Sequence, residues 1–285
     1  METAPERALS VAVIGAGSEA DRWLRALRGV DAVAARRADF TEEALMSALS
    51  QDDVEALAFA GVGGDLAAAV KRALMANRHV LVAGPTAIGS KQLFALDALA
   101  RRRNRVLVLD AGATGDERID FVRKMLVGPQ ALWRPRYVRS LRTGGAGAHP
   151  LDALAIADIH LVLTLLGGTP SRVSAVSPRI DDETGAADVA MLTLMFDGGS
   201  SARIDVSLIE PEMRHEVAIA CDGRTIVIDA FNARAPLQIQ ASARHRGPRL
   251  GQWGETVSEH PSAERGGRLA RAAASFVTAV RARDS

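Results

Sequence analysis

The chain has 285 residues, 48% of them hydrophobic, with 35 lysines and arginines against 34 acids and a net charge of +1. That is enough apolar material for a substantial core, most simply in two domains, and the balanced charge argues against a nucleic-acid surface. The single cysteine excludes an internal disulfide or a cysteine-rich zinc site. METAPERALS lacks the parts of a signal sequence and no apolar run is long enough to span a membrane, so a soluble, cytoplasmic protein is expected.

Val11–Ile14 reads as a buried strand running into Gly15-Ala16-Gly17, and Trp23, Leu24 and Leu27 are spaced for a helix directly behind it. Val30–Ala35 is a predicted second strand ending at Arg36-Arg37. Thr41 is placed to cap a helix through Leu49, with Glu42 and Glu43 suiting its dipole. A third strand, Val54–Ala60, meets the glycine turn 61–64, and a helix follows from Asp65 until Asn77 stops it. His79–Ala83 and Arg105–Leu109 are further strands, with a helix over Ser90–Arg103 between them. Strand and helix alternating with short loops predict a parallel, doubly wound sheet. Right-handed crossovers then bring the loops after Ile14, Ala60, Ala83 and Leu109 to one end, where a ligand would bind.

Past Asp110 the rhythm changes. Helices are predicted over Glu117–Val127 and Leu151–Leu166, with a strand at Arg136–Leu141 between them. Strands then dominate: Ser171–Val176, Ala187–Phe196, Ser201–Ile209, His215–Ala220 and Thr225–Phe231. Asp197-Gly198-Gly199 and Asp222-Gly223 are hairpin turns. The C-terminal stretch reads as a helix after its glycines. The division expected is a dinucleotide-binding domain over 1–113 and an α+β domain with a large, mostly antiparallel open sheet over 114–285.

Gly15, Gly17 and Ala20 fit the G-x-G-x-x-G/A spacing, in which backbone N–H groups at a helix start hold a pyrophosphate. Gly15, Gly17 and Ser18 are therefore expected phosphate contacts, with Gly61 permitting close approach from the neighbouring strand. Arg36 and Arg37 stand where an acid would hold the ribose of NAD, so NADP is the favoured cofactor, with Asp39 a weaker acid for NAD; solvated surface arginines are the competing reading. Glu19, beside the expected pyrophosphate, would repel it by a few kcal/mol at roughly 5 Å unless it turns away. Asp110, at a strand end, is a pocket acid or a turn cap. The run Asp181-Asp182-Glu183 reads as a solvated loop, so no metal is expected. Cys221 reads as a small buried residue, and Trp23, Trp133 and Trp253 as packing residues; Tyr137 reads as a proton donor or, in preference, as a sheet residue packed under a domain interface.

Three stretches resemble the Gfo/Idh/MocA oxidoreductases: VAVIGAGSEA, then VEALAFAG through RRRNRVLVL, then LDALAIADIHLVLTLLGGTPSRVSAV. The resemblance implies a Rossmann domain followed by an antiparallel-sheet domain, a nicotinamide cofactor, and a homodimer or homotetramer formed through the open sheet. It also marks departures. The family's Glu-Lys-Pro reads Ala83-Gly84-Pro85 here; Pro85 is kept as a cofactor-side residue, but Gly84 cannot carry the proton that alcohol oxidation moves. Its Thr-Pro-x-x-x-His has become the glycine turn at Gly61. The domain-entry helix offers Asp152, but Ile156 or Ala157 stands where a histidine belongs. The remaining catalytic candidates are Asp152, His160 on the same helix and His149 in the loop before it. Two functions stay open: a divergent NAD(P)-dependent oxidoreductase, suited to C=N or C=C reduction, and a redox-inactive scaffold that binds a partner or hosts another reaction.

Overall fold

The computed structural model describes residues 8–61, 64–84, 88–110, 116–144, 151–178, 188–232, 234–242, 256–259 and 267–284, with backbone alone for 152–153, 242 and 256–259. Five short apolar runs form a parallel sheet: β1 (Leu9–Ile14), β2 (Val33–Ala38), β3 (Ala56–Ala60), β4 (His79–Ala83) and β5 (Leu107–Asp110), in the order β2-β1-β3-β4-β5. Every residue of β3 and β4 is buried, because helices cover both faces. The strand order reverses at β1, with β2 on one side and β3 on the other. The crevice for a ligand opens at that switch point.

The connecting helices are α1 (Gly17–Arg28), α2 (Glu42–Ser50), α3 (Leu66–Met75) and α4 (Ser90–Arg102). Thr41 and Asp65 cap α2 and α3 by accepting from the N–H groups of Ala44 at 3.1 Å and Ala68 at 3.0 Å. Asn77 and Asn104, at φ of 57° and 53°, end α3 and α4 in left-handed turns. Alternate residues of the strands divide between two cores. Leu45, Val70, Leu74 and Leu96 of α2, α3 and α4 meet Ala12, Ile14, Phe59 and Val82. On the other face Trp23 and Leu27 of α1 meet Val11, Val13 and Ala58.

That second face is completed from the far end of the chain. Helix α7 (Arg268–Asp284) lays Ala272, Ala273, Phe276, Val277 and Val280 in the same core as α1, Leu81 and Val106. Arg268 donates to buried Asp110 at 2.8 Å, and Asp284 reaches His79 at 3.1 Å and Arg105 at 3.0 Å. The chain divides into Met1–Gly115 with Gly266–Ser285, and Asp116–Arg265. Chain order had put the C-terminal helix in the second domain; its apolar stripe instead serves the first.

The second unit holds α5 (Glu117–Leu126), α6 (Leu151–Leu166) and eight strands. These are β6 (Pro135–Thr143), β7 (Arg172–Val176), β8 (Val189–Met195), β9 (Ser201–Ser207), β10 (Arg214–Cys221), β11 (Arg224–Asp229), β12 (Leu237–Ser242) and β13 (Thr256–Glu259), in the order β13-β12-β11-β10-β6-β9-β8-β7. All neighbours are antiparallel except β6 and β9, which a crossover through α6 makes parallel. Val138, Ile204, Leu194, Val217 and Ile219 are buried on the face that α6 covers. The opposite face is open: Tyr137, Val176 and Met195 are exposed on it. Tyr137 is thus a surface residue of this sheet, which corrects its expected burial. β12 and β13 were not anticipated, and β2 begins at Val33 because Ala32, at φ 52°, turns the chain first.

Candidate functional site

At the switch point the chain passes from β1 into α1 through Gly15 and Ala16. A Cβ on Gly15 would stand 1.7 Å from the carbonyl oxygen of Ala60, so only glycine fits there. The reciprocal contact is looser but still too close for a side chain: a Cβ on Gly61 would lie 2.7 Å from the oxygen of Ala16. The two loops thus meet backbone to backbone. Gly17, at φ 67°, has open space where its Cβ would be.

Ala16 holds the N-cap position of α1 and provides no side-chain acceptor. Where Thr41 and Asp65 occupy first-turn N–H groups at the starts of α2 and α3, those of α1 face outward with the positive end of the helix dipole. Glu19 does not fill the vacancy. Its Oε1 accepts from Trp23 Nε1 at 3.2 Å and its Oε2 from Arg22 at 3.1 Å, both further along the helix. The carboxylate is bonded away from the first-turn N–H groups, which it leaves uncapped.

Arg36 and Arg37 end β2 on opposite faces of the sheet, as consecutive strand residues must. Arg36 bonds Gln51 and lies 3.6 Å from Asp53, whereas Arg37 pairs with Asp21 of α1 and lies 4.0 Å from Asp39. They do not form one guanidinium pair, so any single phosphate meets one of them. Gly84 follows β4 at φ 81°, with Glu19 Oε1 4.0 Å from the place of its missing Cβ. Ser18 lies in the first turn of α1. Pro85 lies outside the described residues.

In the second unit α6 contributes a charged cluster that sequence reasoning missed. Asp158 is fully buried and accepts from Arg142 Nε at 2.9 Å and Nη2 at 2.6 Å. His215 Nε2 lies 3.0 Å from the same carboxylate and 2.9 Å from Arg142 Nη2. Arg142 and His215 sit directly opposite on β6 and β10, and α6 lowers Asp158 onto them. Burial alone would raise the Asp158 pKa, but hydrogen bonds from Arg142 and His215 outweigh it and hold the carboxyl below its ordinary range. A lone aspartate in the apolar run ALAIADIHLVL was the available signal: such a charge needs a partner.

His160 stands on a different face of α6 from Asp158, and its Nδ1 is buried with no hydrogen-bond partner among the described residues. Asp152 is in the first turn of α6, only its backbone being described, and His149 lies outside the described residues, as do 181–183 and Trp253. Trp23 is fully buried, and Arg224 stacks on Trp133 at 4.8 Å. Burial first, and then Asp222, push the Cys221 thiol up to about 11, so it stays protonated and unreactive at neutral pH. Among the described residues no cluster could hold a metal, and no helix is long and apolar enough to cross a membrane.

Residues 119–227 match the GFO/IDH/MocA C-terminal domain. UDP-N-acetylglucosamine 3-dehydrogenase GnnA from Acidithiobacillus ferrooxidans shares the fold at TM-score 0.76 and 20% identity, over 97% of this chain and 90% of its own. GenD2 from gentamicin A biosynthesis, solved with NAD, aligns at TM-score 0.73 and 18% identity over 98% and 87% of the two chains. An NAD-binding protein from Listeria innocua aligns at 0.76 and 15% over 98% and 91%. No curated protein matches the chain in sequence.

Proposed function

From the match of residues 119–227 to the GFO/IDH/MocA C-terminal domain, we propose that the chain is a nicotinamide-dependent oxidoreductase of the Gfo/Idh/MocA type acting on a small molecule. One observation carries the reading. The first-turn N–H groups of α1 lack a side-chain cap, directly behind a glycine turn at the switch point, and Glu19 is bonded away from them. That is the cradle a pyrophosphate requires. The similarity to an NAD-bound relative and to an NAD-binding protein supports the same cofactor class.

The chain's own residues would divide the work as follows. Gly17, Ser18 and Glu19 offer backbone N–H groups to the pyrophosphate, while Gly15 and Gly61 keep the two loops close enough to shape the crevice. A guanidinium at the end of β2, from Arg36 or Arg37, favours NADP over NAD through the extra phosphate. The bound cofactor would supply the hydride. Gly84 supplies no proton, which suits reduction of a C=N or C=C bond, where water or the substrate can serve. Asp152, His149 and His160 remain the proposed proton carriers; among the described residues the buried Nδ1 of His160 has no hydrogen-bond partner. We further propose a homodimer, or a tetramer built from it, through the open sheet face that carries Tyr137, Val176 and Met195. Sedimentation of the purified chain as a monomer would remove that part.

Titration with NADPH and NADH, followed by nicotinamide fluorescence and melting temperature, tests the central reading. A nucleotide at 100 times its dissociation constant stabilises the fold by about 2.7 kcal/mol. Saturable binding with NADPH preferred, and the preference lost in Arg36→Ala or Arg37→Ala, is expected. No binding of either nucleotide at millimolar concentration refutes the oxidoreductase reading. It would leave the second one, a redox-inactive scaffold, which the bare Gly84 at the end of β4 favours.

A further inference from the structure

Glu19 leaves the first turn of α1 and crosses the carboxyl ends of two strands. Its Cβ is 3.3 Å from where a Cβ on Gly61 would sit, and its Oε1 is 4.0 Å from the equivalent point on Gly84. These residues follow β3 and β4 at φ of +62° and +81°, so neither strand end puts a side chain of its own into that space. The carboxylate is fixed there by the indole N–H of fully buried Trp23, which donates to Oε1 at 3.2 Å. Arg22 is the weaker partner, an i,i+3 contact with 53% of its side chain exposed. The Glu19 side chain is 31% exposed, so its charge acts through a medium less polar than bulk water.

We infer that Glu19 is an electrostatic residue of the nicotinamide half of the cofactor site, favouring the oxidised, cationic ring over the reduced, neutral one. The inference rests on the proposed cofactor. A dinucleotide anchored at the start of α1 lies across the strand ends of such a sheet, and Glu19 stands at the ends of β3 and β4. Hydride loss leaves a positive charge on the ring; a carboxylate fixed in advance lowers the energy of that charge without reorganising. The bound reduced cofactor becomes a stronger hydride donor, which matches a reductive role and gives Glu19 a use beyond satisfying an indole.

The test compares dissociation constants of NADP⁺ and NADPH, and of NAD⁺ and NADH, for the full chain by calorimetry, in wild type, Glu19→Gln and Arg22→Gln. Glutamine keeps an oxygen for the Trp23 N–H, so the helix start is preserved. The ratio of reduced-form to oxidised-form dissociation constant should fall about tenfold in Glu19→Gln. It should rise in Arg22→Gln, which removes the counter-charge. Binding with a ratio unchanged in both variants, or moved the other way, overturns the role of Glu19 and leaves the cofactor reading standing. Absence of saturable binding by the wild type overturns both.

Discussion

Replacing Asp158 with alanine removes the centre of a three-residue cluster. The carboxylate is fully buried and receives three contacts, at 2.9 and 2.6 Å from Arg142 and 3.0 Å from His215. Breaking a buried ion pair from one side costs roughly 3–5 kcal/mol, because the partner charge is stranded. Arg142 keeps 21% of its side chain exposed and can recover some water, so the lower end, about 3 kcal/mol, is expected here. For a chain of this size that is a melting shift of roughly 6–12 °C. Urea unfolding, with hydrogen exchange of β6 and β10 to localise the loss, measures it. The paired replacement Asp158→Leu with Arg142→Met should cost much less than the two single changes summed. Protonation supplies an independent check. The Asp158 pKa is lower folded than unfolded, so the unfolded chain takes up the proton first as pH falls. The stability it contributes is complete above the unfolded carboxyl value, about 3.9, and is lost as pH drops through the lower folded value. The gap between wild type and Asp158→Asn should therefore close in that acid range. A cost below about 1 kcal/mol, or additive single changes, would refute the claim that the cluster acts as a coupled unit.

Other outcomes follow from the same structure. Gly15→Ala should abolish nucleotide binding and destabilise the first unit by several kcal/mol, since its Cβ has 1.7 Å to the Ala60 oxygen; Gly17→Ala, with open space but φ 67°, should cost only about 1–2 kcal/mol. Equal losses in chemical unfolding would contradict this difference. His79, held below its ordinary 6.5 first by burial, with Arg105 acting the same way against Asp284, resists a proton that the unfolded chain accepts. Wild-type stability should decline as pH falls below about 6.5 until the folded pKa is passed, and His79→Asn should flatten that slope. Removing residues 268–284 takes away Phe276, Val277 and Val280, worth about 1.5–3 kcal/mol each when fully buried, and bares the α1 and sheet residues they cover. The shortened chain should lose cooperative melting of the first unit; a retained transition would show that α7 is dispensable.

The parallel sheet was legible because each of its strands is a short apolar run with a turn or cap signal beside it. HVLVA and ALAFA could be little else, and Asn77 ends its helix as its left-handed backbone predicts. The glycine turn was legible as spacing, but the direction of Glu19 was not, since the choice depends on a buried indole four residues away. The second sheet was read only in part. LQIQAS alternates over too short a stretch to stand apart from a loop, and the parallel pairing of β6 with β9 depends on a crossover that no local pattern encodes. Arg142, Asp158 and His215 escaped because their contacts span 16 and 73 residues of chain. The destination of α7 escaped for the same reason: its stripe of Ala273, Phe276, Val277 and Val280 says that a face is buried, not against what.

The return of α7 to the first sheet makes the second unit an insertion, entered after β5 and left before Arg268. A ribosome delivering this chain therefore releases β1 to β5 with one flank bare. The apolar surface beside α1 that α7 will cover stays bare through synthesis of the eight-stranded sheet. The inserted unit has all its strands and helices in hand first and can fold before its host does. Birth order and folding order run opposite ways, and the early Rossmann segment is the part that needs shelter from aggregation while it waits.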